Sequence, residues 1–171
     1  MSWLYRTIRI GKQGRPFSIW KIKTLLEGTD RTSSFAKPEQ YTWCGRFLRK
    51  VKADELVQGW NVLCGSMALV GPRPMDRKEV DALPELARKT ILSVLPGMTS
   101  LSSVAFFFEE RLLQASGDAT RTYYLQIKPL KIHLDCFYAQ NRCFLLDVAI
   151  LWMTFKKVLE ALFTPYSELY E

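Results

Sequence analysis

Asp54 and Glu55 stand side by side at the head of a stretch that carries no further charge until Arg73. Acidic residues in the first turn of a helix are stabilised by its unpaired N–H groups and its dipole, and that alone accounts for such a pair. Their company adds a chemical reading. An ionised aspartate is a nucleophile toward phosphorus, and a neighbouring glutamate, turned away from it on a helix, is a hard oxygen ligand suited to Mg²⁺. Guanidinium groups grip phosphate oxygens bidentately. Arg49 lies five residues before Asp54, and Arg73 lies 19 residues after it, held between Pro72 and Pro74. Asp54, Glu55, Arg49 and Arg73 together suit phosphoryl transfer, in which positioning and charge neutralisation dominate.

Other chemistries find little support. The cysteines, Cys44, Cys64, Cys136 and Cys143, form no Cys-x-x-Cys pair, and His133 is the only histidine. Neither a zinc site nor a Ser-His-Asp triad is expected from such residues. Reduced thiols in a cytoplasmic compartment are the simpler reading.

The elements that must position these residues are legible in outline. The 171 residues, 48% hydrophobic and 24% charged, fit one domain with its own core, spanning 1–171. Residues 3–10 and 17–25, rich in aromatic and β-branched side chains, flank the turn segment "GKQGRP" and predict a β-hairpin. Residues 27–42 read as a polar loop, followed by a helical segment, "WCGRFLRK". Residues 54–64 predict an amphipathic helix, with Leu56, Trp60 and Leu63 on one side and Asp54, Gln58 and Asn61 on the other. It must end before "VGPRP", whose prolines exclude helical neighbours.

Further helices are expected over 76–93, over 118–140 with an interruption near Pro129, and over 144–163, with "PGMTS" at 96–100 as a turn or loop entry. The fold class is therefore α+β: a helix-dominated single domain with a small antiparallel hairpin or sheet near its N-terminus.

The net charge of +7 favours an anionic partner. The basic residues are dispersed, apart from Arg46, Arg49, Lys50 and Lys52, and no helix-turn-helix, zinc or stacking motif accompanies them. Nucleic acid is not the expected partner. The longest uncharged run in the final helix, Val148 to Phe155, is far short of the ~20 apolar residues that cross a bilayer. That helix reads either as a core helix or as one lying in the membrane interface, with its lysines at the headgroups.

The motifs, in order, resemble the bacterial sugar transferase family, the monotopic phosphoglycosyl transferases. They are "GRFLRK" at 45–50, "DELVQ" at 54–58, "WNVL" at 60–63, "LVGPRP" at 69–74, "PGMTS" at 96–100 and "LDCFYAQNRCFLLDVAIL" at 134–151. Upstream, "RIGKQGRPFSIWKIKTL" at 9–25 resembles the family's hairpin and its lysine-bearing strand. The resemblance implies transfer of a sugar-1-phosphate from a nucleotide sugar, usually a uridine diphosphate sugar, to undecaprenyl phosphate, the step that starts polysaccharide assembly. It implies Asp54 as the nucleophile of a ping-pong reaction and Glu55 as a holder of Mg²⁺. It also implies Arg49 near the phosphates, Arg73 in nucleotide recognition and Lys21 as a further phosphate-site residue. The expected location is the cytoplasmic face of the bacterial inner membrane. The alternative is a non-catalytic module of the same fold that binds nucleotide sugar or membrane.

Family members carry a re-entrant membrane helix ahead of the hairpin, whereas this sequence opens at the hairpin, so a membrane protein partner is a further expectation. Val57, Ser100, Ser103 and Lys23 stand where the family usually has proline, glycine, glutamine and arginine.

Overall fold

A computed structural model describes residues 4–24, 42, 45, 47, 48 and 53–164, without the side chains of Ala53, Asp54, Glu110, Arg111 and Gln114. The expected loop at 27–42 and the helical segment that follows it lie almost entirely outside the described residues, as does Arg49.

The α+β architecture is as expected. Strands β1 (Leu4–Ile10) and β2 (Pro16–Ile22) form the antiparallel hairpin, with Tyr5 opposite Lys21 and Ile8 opposite Ser18. The turn between them is tight enough to place Gln13 at φ 59° and Gly14 at φ 75°, backbone that glycine adopts readily and glutamine rarely. The Gln13 amide donates to Leu92 O at 2.8 Å, anchoring the turn to the helical layer.

A second strand pair lies deeper. Strands β3 (Ala68–Val70) and β4 (Gly97–Thr99) run parallel, with Val70 beside Thr99. The expected turn or loop at 96–100 is thus largely a strand. Three-residue strands carry no periodicity to read; tertiary pairing makes them. The chain packs so closely here that a Cβ added to Gly97 would lie 2.1 Å from the Gly71 nitrogen, and one added to Gly71 would lie 2.5 Å from Leu95 O. Backbone cannot yield as a flexible side chain does. Gly97→Ala is therefore expected to part β3 from β4 and lower the melting temperature by at least about 5 °C, measurable by differential scanning calorimetry.

The helices depart from expectation in two places. Residues 53–58 form a 3₁₀ segment, and only α1 (Gly59–Leu63) is α-helical, so the predicted single helix over 54–64 is two short pieces. Residues 76–93 likewise divide into α2 (Arg77–Asp81) and α3 (Glu85–Ile91), because Pro84 stops the first and opens the second. A capping box between Asp76 and Glu79 starts α2.

After α4 (Leu101–Ala105), α5 (Glu109–Gln114) and α6 (Ala119–Thr122), a π turn at Tyr123–Ile127 leads into α7 (Lys128–Asn141). The interruption expected near Pro129 falls just before it. Pro129 itself sits in the first turn of α7, and its missing N–H withholds a donor from the π turn that precedes it.

The final helix, α8, spans Phe144–Phe163, as its pattern predicts. The core gathers Val70, Val104, Tyr138 and Ile150, joining β3, α4, α7 and α8. The Tyr138 hydroxyl reaches Asp147 Oδ1 at 2.6 Å and Val70 O at 3.1 Å, and its single proton serves one of them at a time. Burial, with the Asp147 carboxylate as the next cause, holds this phenol well above its ordinary pKa.

Candidate active site

Three of the sequence-predicted residues meet. Lys21, near the end of β2, donates through Nζ to Glu55 Oε1 at 2.6 Å. Arg73, in the loop after β3, donates through Nη2 to the same oxygen at 3.1 Å. The Lys21 and Glu55 side chains are 15% and 19% exposed, against 53% for Arg73. One carboxylate thus holds a sheltered ammonium on one side and a guanidinium that opens to solvent on the other. Breaking a mostly buried pair leaves the remaining charge uncompensated, so each member depends on the other.

Local structure explains the meeting. Asn61 of α1 is buried and donates through Nδ2 to Ser18 O at 2.8 Å and to Ser66 Oγ at 3.1 Å. That ties α1 to β2, and thereby sets Glu55 opposite Lys21. Gln58 is buried on the same side, whereas Leu56, Trp60 and Leu63 are 62%, 66% and 80% exposed. The segment is amphipathic as read, but its polar side faces the protein and its apolar side faces out.

Arg73 is fixed from both flanks. Gly71 N donates to Thr99 O at 3.0 Å, Gly97 N donates to Pro72 O at 2.9 Å, and Ile10 N donates to Met75 O at 2.8 Å. Asp54 lies in the 3₁₀ segment immediately before Glu55; its side chain is outside the described residues. Side-chain chemistry singles out Glu55 and Arg73, family resemblance adds Lys21, and the fold joins all three.

A second polar group is buried between α4 and α7, and no sequence motif assigns it a role. Ser102 Oγ donates to Asp135 Oδ1 at 2.7 Å, with both residues almost fully buried. Burial raises the Asp135 carboxyl to about 6, against the opposing pull of the Ser102 hydroxyl, Lys131, the Arg73 charge and the Arg73 backbone N–H. Asp135 does fall in a recognisable motif, but no pattern in sequence shows that it will meet Ser102, 33 positions earlier.

Nearby, Lys131 pairs with Glu109 and lies 5.5 Å from the Tyr123 ring. Burial, then Glu109, push the Tyr123 phenol up to about 12. Ser100, where glycine is usual, has extended backbone (φ −146°, ψ 160°) and caps α4 by accepting from Ser103 N at 2.9 Å. The side chain therefore supplies a cap at no conformational cost.

No group of three or more His, Cys, Asp or Glu residues able to cage a metal occurs among the described residues. Mg²⁺ is commonly held by one or two carboxylates plus substrate phosphates, and Glu55, whose Oε1 accepts from both Lys21 and Arg73, offers a hard-oxygen ligand of that kind.

The structure thus gathers a sheltered carboxylate, a lysine and an arginine on an α+β scaffold. The particular family follows from comparison. The sequence pattern of the bacterial sugar transferase family matches residues 1–161, and the chain belongs to that family.

Among its relatives, "Uncharacterized sugar transferase EpsL" of Bacillus subtilis is 32% identical over 91% of this chain and 69% of that protein. A UDP-glucose:undecaprenyl-phosphate glucose-1-phosphate transferase of Klebsiella pneumoniae is 31% identical over 88% of this chain. A UDP-N-acetylgalactosamine-undecaprenyl-phosphate N-acetylgalactosaminephosphotransferase of Aeromonas hydrophila is 32% identical, also over 88%. The chain spans 31% and 34% of these last two, about a third of their length.

Proposed function

We propose that this chain transfers a sugar-1-phosphate from a nucleotide sugar, in first place a uridine diphosphate sugar, to undecaprenyl phosphate. The observation that carries the reading is the convergence of Lys21 and Arg73 on Glu55, beside Asp54 in the same short segment. The named activities of the Klebsiella and Aeromonas relatives support the substrate classes.

In this reading an Asp54 carboxylate oxygen attacks the phosphorus that bears the sugar. The bond from that phosphorus to the bridging oxygen breaks, and the nucleoside monophosphate leaves with its electrons. An oxygen of the lipid phosphate then attacks the same phosphorus, the aspartyl–phosphorus bond breaks, and the carboxylate is restored. Arg73, half open to solvent, swings its fork between Glu55 and the diphosphate. Lys21 holds Glu55 in place. Arg49 is assigned to the phosphates by family resemblance. Glu55 would hold Mg²⁺, which would offset diphosphate charge during the displacement.

The test is the intact mass of the purified protein after incubation with Mg²⁺ and a panel of uridine diphosphate sugars. A sugar-phosphate adduct is expected without any lipid present. Nucleotide binding with no adduct would instead establish a non-catalytic binding module.

The acceptor is a membrane lipid, and α8 offers a surface that suits the cytoplasmic face of a bilayer. Ile150 and Ala161 are fully buried, yet Phe144, Leu145, Val148, Trp152, Phe155, Leu162 and Phe163 are exposed along one stripe. So wide an apolar face in contact with water is unusual for a protein surface. Lys156 lies 5.4 Å from the Trp152 ring, at the edge of the stripe, where a headgroup phosphate would meet it. No helix among the described residues is long and apolar enough to cross a membrane. Replacing both Trp152 and Phe155 by glutamate is expected to weaken co-sedimentation with anionic vesicles at least about tenfold, since each buried aromatic contributes ~1.5–3 kcal/mol.

A further inference from the structure

Register puts two cations on one face of the hairpin. Tyr5 stands opposite Lys21, Thr7 opposite Ile19 and Arg9 opposite Phe17. The two members of an antiparallel pair point to the same side, and every second pair repeats that side. Arg9 and Lys21 therefore share a face. Arg9 lies four residues along β1 from Tyr5, the partner of Lys21, which is about 13 Å of extended strand. Their face is the inner one: Ile19 is buried on it, whereas Ile8 on the other face is exposed.

Each cation holds one half of the site. Lys21 donates to Glu55 Oε1. Arg9 Nη1 lies 3.5 Å from Asp76 Oδ2 and 3.7 Å from Glu79 Oε2. Beside it, Ile10 N donates to Met75 O at 2.8 Å. Only Pro74 separates Arg73 from Met75 and Asp76. Proline fixes its own φ and restrains the residue before it, so a shift of Met75 and Asp76 is passed on to Arg73. Arg73 in turn reaches Glu55 at 3.1 Å. The contacts close a ring: β2 to Glu55 through Lys21, Glu55 to Arg73, and the Arg73 loop back to β1 through Ile10 and Arg9.

The start of α2 does not need Arg9. Asp76 Oδ1 accepts from Glu79 N at 2.8 Å, and Asp76 N donates to Glu79 Oε2 at 2.9 Å, so the capping box is complete while Asp76 Oδ2 is turned to Arg9. Both carboxylates are more than two-fifths exposed, and ion pairs this open add little to stability. Placement is a different matter, because a phosphate clamp displaced by a fraction of its bond length loses much of its effect.

We propose that Arg9 is a positioning residue: it seats the Arg73 loop on the hairpin, so that the inner face of the hairpin sets the separation of Arg73 from Glu55. This deepens the transferase reading and rests on it for its kinetic consequences, but the seating itself is testable without turnover.

Two alterations remove the contact from opposite sides. Arg9→Met keeps an apolar stem and loses the charge. Asp76→Asn combined with Glu79→Gln loses both carboxylates but leaves residues that still cap α2. In the ligand-free protein, hydrogen exchange of the Ile10 amide should speed up about fivefold in either variant, with melting temperatures within about 3 °C of the native chain. In adduct formation, Arg9→Met should raise the KM for the nucleotide sugar about tenfold, with a smaller change in kcat. Arg9→Lys should recover most of that loss, and Arg9→Met should add nothing further in an Arg73→Ala background. A residue kept for stability alone would lower the melting temperature and leave KM unchanged. Unchanged Ile10 exchange in both alterations, an unchanged KM, or the full tenfold loss persisting in the Arg73→Ala background overturns the proposal. If the native chain forms no adduct but Ile10 exchange responds as expected, the transferase reading fails and the seating of the loop by Arg9 stands.

Discussion

Asp54→Asn is expected to abolish the sugar-phosphate adduct and to lower turnover with undecaprenyl phosphate by at least about 10³-fold. The amide keeps the shape of the carboxylate but loses its charge and its nucleophilic oxygen. Glu55 is not expected to replace it, because its role is to hold Lys21, Arg73 and the metal rather than to attack. Folding should be almost unaffected, since the short 3₁₀ segment that holds Asp54 is anchored through Glu55 to Lys21 and leads into α1, which Asn61 ties to β2. Circular dichroism melts of the two proteins should coincide within a few degrees, while intact-mass spectra differ completely. An adduct surviving on Asp54→Asn would place the nucleophile elsewhere.

Arg73→Ala carries the second large effect. Removing a preorganised donor aimed at developing phosphate charge costs on the order of 10²–10³ in rate. The side chain is half exposed, and an exposed ion pair contributes only about 0–1 kcal/mol to stability. The expected pattern is thus a severe kinetic loss with a nearly native melting temperature. Arg73→Lys should recover only a small part of the rate, because an ammonium restores the charge without the planar fork. A titration of initial adduct-formation rate against nucleotide-sugar concentration would show this. Full activity in Arg73→Lys would mean that charge alone suffices.

Both variants alter residues that side-chain chemistry marks out in the sequence. Asp54, Glu55 and Arg73 stand out because acid pairs and a proline-flanked arginine are unusual in an otherwise uncharged stretch. The hairpin and α8 are equally legible, since each has many residues in one periodic pattern. Lys21 enters only through family resemblance, and its contact with Glu55 gives it a physical place.

Other features depend on contacts that no local pattern encodes. The parallel pairing of β3 with β4 joins three-residue strands far apart in the chain, and two glycines make it possible by letting backbone touch backbone. The outward face of Leu56, Trp60 and Leu63 reverses what amphipathicity alone would suggest, because buried Asn61 finds its partner in the Ser18 carbonyl. Asp135 is the sharpest case: its letter falls in a motif, but only the packing of α7 against α4 buries it on the Ser102 hydroxyl.

Side-chain chemistry and long periodic elements belong to the chain's local order. The α+β class and the residues equipped to handle phosphate can therefore be read directly from the order of amino acids. Which of those residues meet, which apolar face stays uncovered, and which acid is buried against a serine are long-range matters. They follow from the global balance of burial and hydrogen bonding, which is settled only when the whole chain packs.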